Sequence, residues 1–302
     1  MHGYLKGFSA SVAAAIAVAA MATLMAGAAQ AARPVKPPKP TAPSCGATIA
    51  KPTGGSWTCT FAEEFSSSTL DDRKWVVQTT AGSGYKGGGD CFDNSPNNVS
   101  IANGALSLTT RKEAAPFTCS SPKGDYTSEY TSGMVMTNGK FSQAYGRFEI
   151  RAKFPDIKVA GIQSALWLWP DNPVKYGMWP WSGEIDIAEW YSLYYDRVIP
   201  FVHYASEDPY DPSVTNNYCL IDAAQFHSYV AVWTQTKVTI SFDGKTCVDH
   251  SIDPASPLSG SQPFDHPFMI ALTQALGVGS NAVTSSTPLP ASTQIDYVRV
   301  WK

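Results

Sequence analysis

Beyond its first 32 residues, this 302-residue chain has no helix-period stretch of ten or more positions. It also has no later apolar run near the ~20 residues that a membrane-spanning helix needs. The six cysteines include no Cys-x-x-Cys pair, which removes zinc-ribbon and thioredoxin-type redox chemistry. There is no serine-nucleophile motif. The Gly-rich GSGYKGGGD at 82–90 is followed by neither Lys-Ser/Thr nor a helix, so it reads as a flexible rim loop and not as a phosphate cradle. Basic clusters are missing as well. Residues 1–44 hold four basic residues and no acid, and the remainder carries 18 basic against 25 acidic residues, a net of −7. That balance argues against nucleic acid and anionic membranes as partners. No internal repeat is visible.

What is present begins with a targeting pattern. Lys6 precedes an Ala-rich apolar stretch over 8–29, and AQA at 29–31 supplies a small-x-small cleavage site. Residues 1–32 are therefore expected to be a secretory signal peptide, with no membrane attachment after cleavage. RPVKPPKPTAP follows, and its proline density makes residues 33–44 an extended linker. Residues 45–302 contain no second linker and are expected to fold as one domain and a monomer. An exported chain makes disulfides the default for cysteines 45, 59, 91, 119, 219 and 247. Nearest-neighbour pairing is the expectation among fifteen connectivities.

The domain reads as strands. Residues 98–111 alternate, turn at Asn103-Gly104 and resume, a strong hairpin signal. GRFEIRAKF at 146–154 alternates apolar and charged positions. Residues 229–250 give two or three strands with a turn at Asp243-Gly244. QIDYVRVWK at 294–302 closes the domain, with Ile295, Tyr297, Arg299 and Trp301 expected on one face and Asp296, Val298 and Val300 on the other. Many short strands punctuated by Gly, Pro and Asn indicate a sandwich or barrel. NVS at 98–100 fits a glycosylation sequon but falls in an expected strand.

The chemistry concentrates in WSGEIDIAEW at 181–190, where Glu184, Asp186 and Glu189 are separated by Ile185, Ile187 and Ala188. Five of the nine tryptophans (167, 169, 179, 181 and 190) crowd the same region. A solvated edge strand would explain two alternating acids, but not acids amid so many aromatics, because adjacent like charges repel and each needs hydration or a partner. On a regular strand 184 and 186 share a face and 189 points away. A β-bulge around Ile187-Ala188 would return Glu189 to the acidic face. Two carboxyl groups flanking a scissile bond, one ionised and one protonated, are what glycoside hydrolysis requires. Neighbouring charge helps hold the proton. Tryptophan faces suit the C–H face of a sugar. On a flat strand, however, Cα atoms four positions apart are ~13 Å from each other, so the acids can converge only on a curved one.

GEIDIAEW resembles the bulged E-x-D-x-x-E motif of glycoside hydrolase family 16, the form found in laminarinases, agarases and carrageenases. FAEEF at 61–65, the segment 130–155, SALWLWP at 164–170, FHSYVAVW at 226–233 and IDYVRVW at 295–301 match the family in order. The resemblance implies an all-β fold, a β-jelly-roll sandwich of two curved antiparallel sheets with a cleft on the concave face. It implies a retaining, endo-acting β-1,3-glucan hydrolase needing no catalytic cofactor. In it Glu184 is the nucleophile, Glu189 the general acid/base and Asp186 the auxiliary acid. Trp167, Trp179, Arg147, His203 and Trp190 would contact a polysaccharide substrate. Glu64 and Asp296 match positions of a structural calcium site. Two departures bear on substrate: Trp190-Tyr191 follows the last acid, and LTQALGVGSNA at 272–282 replaces the commoner N-x-A-V-G-G. Mixed-linkage glucan, a β-galactan, transglycosylation and a non-catalytic glycan-binding wall protein stay open on sequence.

Overall fold

The computed structural model describes residues 43–302, so the signal peptide and most of the linker lie outside the described residues. Fifteen strands follow in chain order: β1 (Cys59–Glu63), β2 (Val76–Val77), β3 (Cys91–Phe92), β4 (Val99–Ala102), β5 (Ala105–Cys119), β6 (Tyr126–Met136), β7 (Gly146–Lys153), β8 (Ile162–Pro170), β9 (Glu184–Tyr191), β10 (Ile199–His203), β11 (His227–Trp233), β12 (Lys237–Phe242), β13 (Lys245–Ser251), β14 (Phe268–Leu276) and β15 (Ala291–Trp301). The single α-helix among the described residues has four residues, Thr80–Ser83. A chain without helical periodicity folds as one would expect.

One layer runs β10-β9-β8-β14-β6, and the other runs β5-β15-β7-β11-β12-β13. The long strands β5 and β6 join them: β5 pairs with β15 near its start and with β6 near its end. All pairings are antiparallel except β3 with β6. This is the jelly-roll sandwich. Its core is built from alternate residues of each layer. Phe148, Ile150 and Ala152 of β7 are buried, and so are Leu166 and Leu168 of β8. Trp190 stacks on Phe154 at 5.9 Å and 6°, and Trp233 meets Phe268 edge-on at 5.1 Å. Truncating such a buried indole to alanine costs about 3–5 kcal/mol.

The local expectations mostly hold. Asn103 and Asp243 adopt positive φ, each followed by a glycine that does the same, at the β4–β5 and β12–β13 turns. The disulfides are Cys45–Cys59, Cys91–Cys119 and Cys219–Cys247. Asn98 of the sequon is buried, and its amide donates to the Thr109 carbonyl at 3.0 Å and to Thr131 Oγ1 at 2.9 Å. It is therefore a structural residue. The closing strand departs from simple alternation. Its register against β7 shifts between Ile295 and Tyr297. Ile295, Val298 and Val300 all reach the core, while Tyr297 and Arg299 point out. A bulge lets apolar side chains of opposite parity share one face.

The opposite side of the β6–β14–β8–β9 layer carries a second apolar cluster, which includes Met134, Met136, Ala165, Trp167 and Met269. It floors an open cleft.

Candidate active site

Strand β9 supplies the acids, and its register shows how. Against β8, Ala165 faces Glu189, Leu166 faces Ala188 and Trp167 faces Asp186. Against β10, Ile199 faces Glu189 and Phe201 faces Asp186. β9 therefore spends Ile187 and Ala188 where each neighbour spends one residue. Both of these, with Ile185 and Trp190, are buried in the core. The bulge drops two consecutive apolar side chains inward and turns Glu189 back to the side of Glu184 and Asp186. All three acids line one cleft of about 420 Å³ together with Trp167, Trp169 and Trp179.

Each carboxyl has its own setting. Trp179 Nε1 donates to Glu184 Oε2 at 2.7 Å. The loop that holds this indole is pinned by Ser182, which accepts from the Tyr176 amide at 3.1 Å and donates to the Gly177 carbonyl at 2.8 Å. Tyr176 Oη in turn donates to Asp265 at 2.6 Å. Asp186 Oδ2 lies 3.1 Å from His203 Nε2, whose ring stacks on Phe201 at 3.8 Å. Glu189 Oε1 accepts from Gln163 Nε2 at 3.0 Å and from Tyr191 Oη at 2.7 Å. Both donors meet the same oxygen, so Oε2 is left free to carry a proton.

No Lys or Arg lines this cleft. Burial, reinforced by the Asp186 charge, pushes Glu184 up to about 8, against the pull of His203 and the Trp179 N–H. Burial likewise holds Asp186 well above the usual carboxylate range, with Glu189 adding to the effect. Burial raises Glu189, opposed by the Tyr191 hydrogen bond, His203 and Gln163. The same desolvation lowers His203, although Glu184 and Glu189 favour its charged form. His203 is therefore mostly neutral at pH 7, and its Nε2 meets Asp186 without a full charge on the ring. Three crowded acids without a cation cannot all ionise, so the cluster retains protons at neutral pH. That gives one group able to attack and another able to donate.

The structure brings together Glu184, Asp186, Glu189, His203, Trp167 and Trp179. Two expected sugar contacts need correction. Trp190 is 1% exposed and packs into the core, because the residue after Glu189 must point the other way. Arg147 sits on the outer face of β7, paired with Glu149 and lying over Trp301 at 5.6 Å. It has the opposite parity to the core residue Phe148, so it cannot reach the cleft. Glu64 and Asp296 do not fit a calcium site: Arg299 clasps Glu64 through two hydrogen bonds of 2.7 and 2.8 Å, and Arg151 holds Asp296 at 2.5 Å. Carboxylates already bound by guanidinium groups are poor hard-cation ligands. The metal-capable cluster among the described residues is Glu184, Asp186 and His203, whose ligand atoms lie within 4.8 Å of one another. A cation there would occupy the very groups the acid chemistry needs.

Sequence reasoning missed Gln163 as a partner of Glu189 and Tyr85 as part of the wall. Gln163 faces Tyr191 across the β8–β9 pair, a contact that no local pattern encodes. Tyr191 had a visible signal, since two residues after Glu189 is the same strand face. The Gly-rich loop does form a rim, and it is anchored: the buried Asp90 accepts from the Leu276 amide at 3.0 Å and the Gly87 amide at 3.2 Å.

Residues 90–298 match the family model for glycosyl hydrolases family 16. The chain is 30% identical to glucan endo-1,3-beta-glucosidase A1 of Niallia circulans over 84% of its own length, but it spans only 39% of that protein. It is 30% identical to a beta-glucanase of Rhodothermus marinus, covering 82% of this chain and 85% of the relative. Among solved structures, the endo-beta-1,3-glucanase of Pyrococcus furiosus superposes with a TM-score of 0.70 at 28% identity, covering 84% of this chain and 97% of that one.

Proposed function

The chain belongs to glycosyl hydrolases family 16, and from that membership we propose that it is a secreted, monomeric, endo-acting hydrolase of β-1,3-glucan that retains anomeric configuration. The observation that carries the reading is the bulge at Ile187-Ala188, which aims three carboxyls into one tryptophan-lined cleft. The β-1,3-glucan preference is supported by the relatives named above. Export is supported by three disulfides, which form and persist in oxidising compartments.

In this reading a glucan chain lies across β9 with the scissile linkage between Glu184 and Glu189. Glu189 Oε2 gives its proton to the glycosidic oxygen while Glu184, acting in the ionised form that becomes abundant as pH rises toward about 8, attacks the anomeric carbon through Oε1. The carbon–oxygen bond breaks, the shortened polymer leaves as an alcohol, and a glycosyl ester remains on Glu184. Water then attacks the same carbon, Glu189 takes its proton, and the ester opens. Trp179 holds the other oxygen of Glu184 and so orients the attacking one. Asp186, hydrogen-bonded to His203, keeps a proton beside both glutamates and limits the charge they must tolerate.

A glycan panel tests this: laminarin, mixed-linkage glucan and β-galactans, with product sizing and anomeric analysis. The expected outcome is release of short β-1,3-linked oligosaccharides with retained configuration. A preference for galactan, or inverted products, would overturn the substrate or the mechanism respectively.

A further inference from the structure

Of the exposed aromatics outside the cleft, which also include Trp181 and Tyr210, Tyr194 and Tyr218 share one neighbour, Arg197. Tyr194 is 46% exposed, Tyr195 44% and Tyr218 78%, with Leu220 beside them at 61%. None of these residues lines the catalytic cleft. Large exposed rings carry a solubility cost, and their grouping calls for a ligand.

The platform is rigid. Arg197 is clamped to Asp196 by hydrogen bonds of 2.8 and 3.1 Å, and its Nη1 donates to the Asn217 carbonyl at 3.2 Å. Its guanidinium carbon lies 5.9 Å from the Tyr194 ring and 5.8 Å from the Tyr218 ring, so both rings neighbour one fixed, planar cation. The two segments are tied together by Val198 donating to the Cys219 carbonyl at 3.1 Å and Ile221 to the Asp196 carbonyl at 3.0 Å. The Cys219–Cys247 disulfide staples Tyr218's neighbour to β13. Hollows of about 360 and 270 Å³ flank the patch. Tyr195 and Asp222 line the first, Tyr218 and Thr246 the second, and Ile221 lines both.

The geometry points to a second glycan-binding site here, a surface grip on the polysaccharide that the cleft cleaves; it rests on the reading that the substrate is a β-glucan. The chemistry selects the ligand. Tyrosine rings offer flat apolar faces with hydroxyl rims, which suit the alternating C–H and O–H surface of a pyranose. The guanidinium and the Asp222 carboxylate supply hydrogen bonds at the edges. The charges nearly balance: Arg197 faces Asp196, Lys158 faces Asp156 at 3.9 Å, and the hollows add Asp222, Asp243 and Lys245. A balanced surface fits an uncharged polymer better than nucleic acid or an anionic membrane. Pre-ordered rings also lose little entropy on binding. Two grips on one polymer raise the effective concentration of linkages at the cleft.

The test uses the full chain with Tyr194→Ala, Tyr218→Ala and the double variant, each also combined with Glu184→Gln to stop hydrolysis. Retention on insoluble β-1,3-glucan particles reads the surface, and turnover of a short soluble β-1,3-oligosaccharide reads the cleft. The double variant should lose roughly tenfold in particle affinity, the scale of two stacking contacts, while oligosaccharide turnover stays within about twofold. Unchanged particle affinity, or no binding by the parent, overturns the site. Tyrosine-dependent binding with no hydrolysis of any β-glucan would sink the catalytic reading and leave the surface site standing. A dimer in analytical ultracentrifugation that Tyr218→Ala abolishes would assign the patch to a second copy, overturning the glycan assignment.

Discussion

Strands β7 and β9 are built on the same alternation and do opposite things with their acids. On the outer face of β7, Glu149 sits with Arg147 and accepts from Tyr297 Oη at 2.7 Å. Arg151, on the same face, takes Asp296. Every acid there has a cation within reach, and the arrangement is stable because it is satisfied. On the cleft face of β9, Glu184, Asp186 and Glu189 have one another, a neutral histidine and a few hydrogen-bond donors. The first pattern spends acids on surface cohesion. The second stores electrostatic tension where a substrate will sit, as functional sites do.

The sharpest way to break that comparison is to neutralise one acid on each strand. Glu184→Gln should abolish laminarin turnover by roughly 10⁴-fold or more, while Glu149→Gln leaves kcat/KM within about twofold and lowers stability by about 1–3 kcal/mol. Paired steady-state kinetics and denaturant melts check both. Comparable loss of activity from the two would erase the distinction between the faces. Next in size is Glu189→Ala, which should be slow on natural glucan, whose leaving oxygen needs the proton, and should recover turnover with added azide on an aryl β-glucoside whose leaving group departs without one. Azide needs no general base, so it can open the glycosyl ester directly. Absence of recovery would remove the acid/base assignment.

Stability should move in the reverse direction from activity. Glu184 keeps its proton in the folded protein up to about 8 but loses it near 4.5 when unfolded. The folded state therefore binds more protons between those values, and stability falls as pH rises through that window. Below the unfolded value the group contributes no such penalty. Glu184→Gln, permanently neutral, should stabilise the protein by on the order of 3 kcal/mol at pH 8 and by far less at pH 4. Melting temperatures at the two pH values read this out. An equal shift at both would mean that Glu184 is not a strained acid.

Much of this was legible residue by residue. The asymmetry between the two strands is already in GRFEIRAKF and GEIDIAEW: the first interleaves arginines with its acid, and the second contains no cation. The two-plus-three spacing of the acids implied the bulge. Its corollary, that Trp190 faces inward, and the parity that sets Arg147 opposite Phe148 were also in the sequence, yet the resemblance places both residues against substrate. The bulge in β15 was not legible, because Ile295 and Tyr297 on one parity and Val298 and Val300 on the other are both acceptable core sets. Nor could local pattern reveal that Gln163 meets Glu189, or that Arg299 and Arg151 claim the carboxylates expected to hold calcium. Those contacts join strands that are distant in sequence, and only the assembled sheet order creates them.

The finest test probes what replaces a cation at Glu189. Tyr191 Oη and Gln163 Nε2 both donate to Oε1, and a donor to a carboxylate favours its charged form. Tyr191→Phe removes one donor and keeps the ring. Glu189 should then hold its proton to higher pH, so the basic limb of the kcat/KM profile, which reports loss of the general acid's proton, moves to the alkaline side. The carboxyl also loses one of its two anchors, so turnover at the optimum should fall by only about 3–10-fold, the scale of one net hydrogen bond. A ring that merely packs would leave the profile in place. A limb that stays put, or moves toward acid, would show that Tyr191 does not set the protonation of Glu189, and β9 would then owe its acid chemistry to burial and mutual repulsion alone.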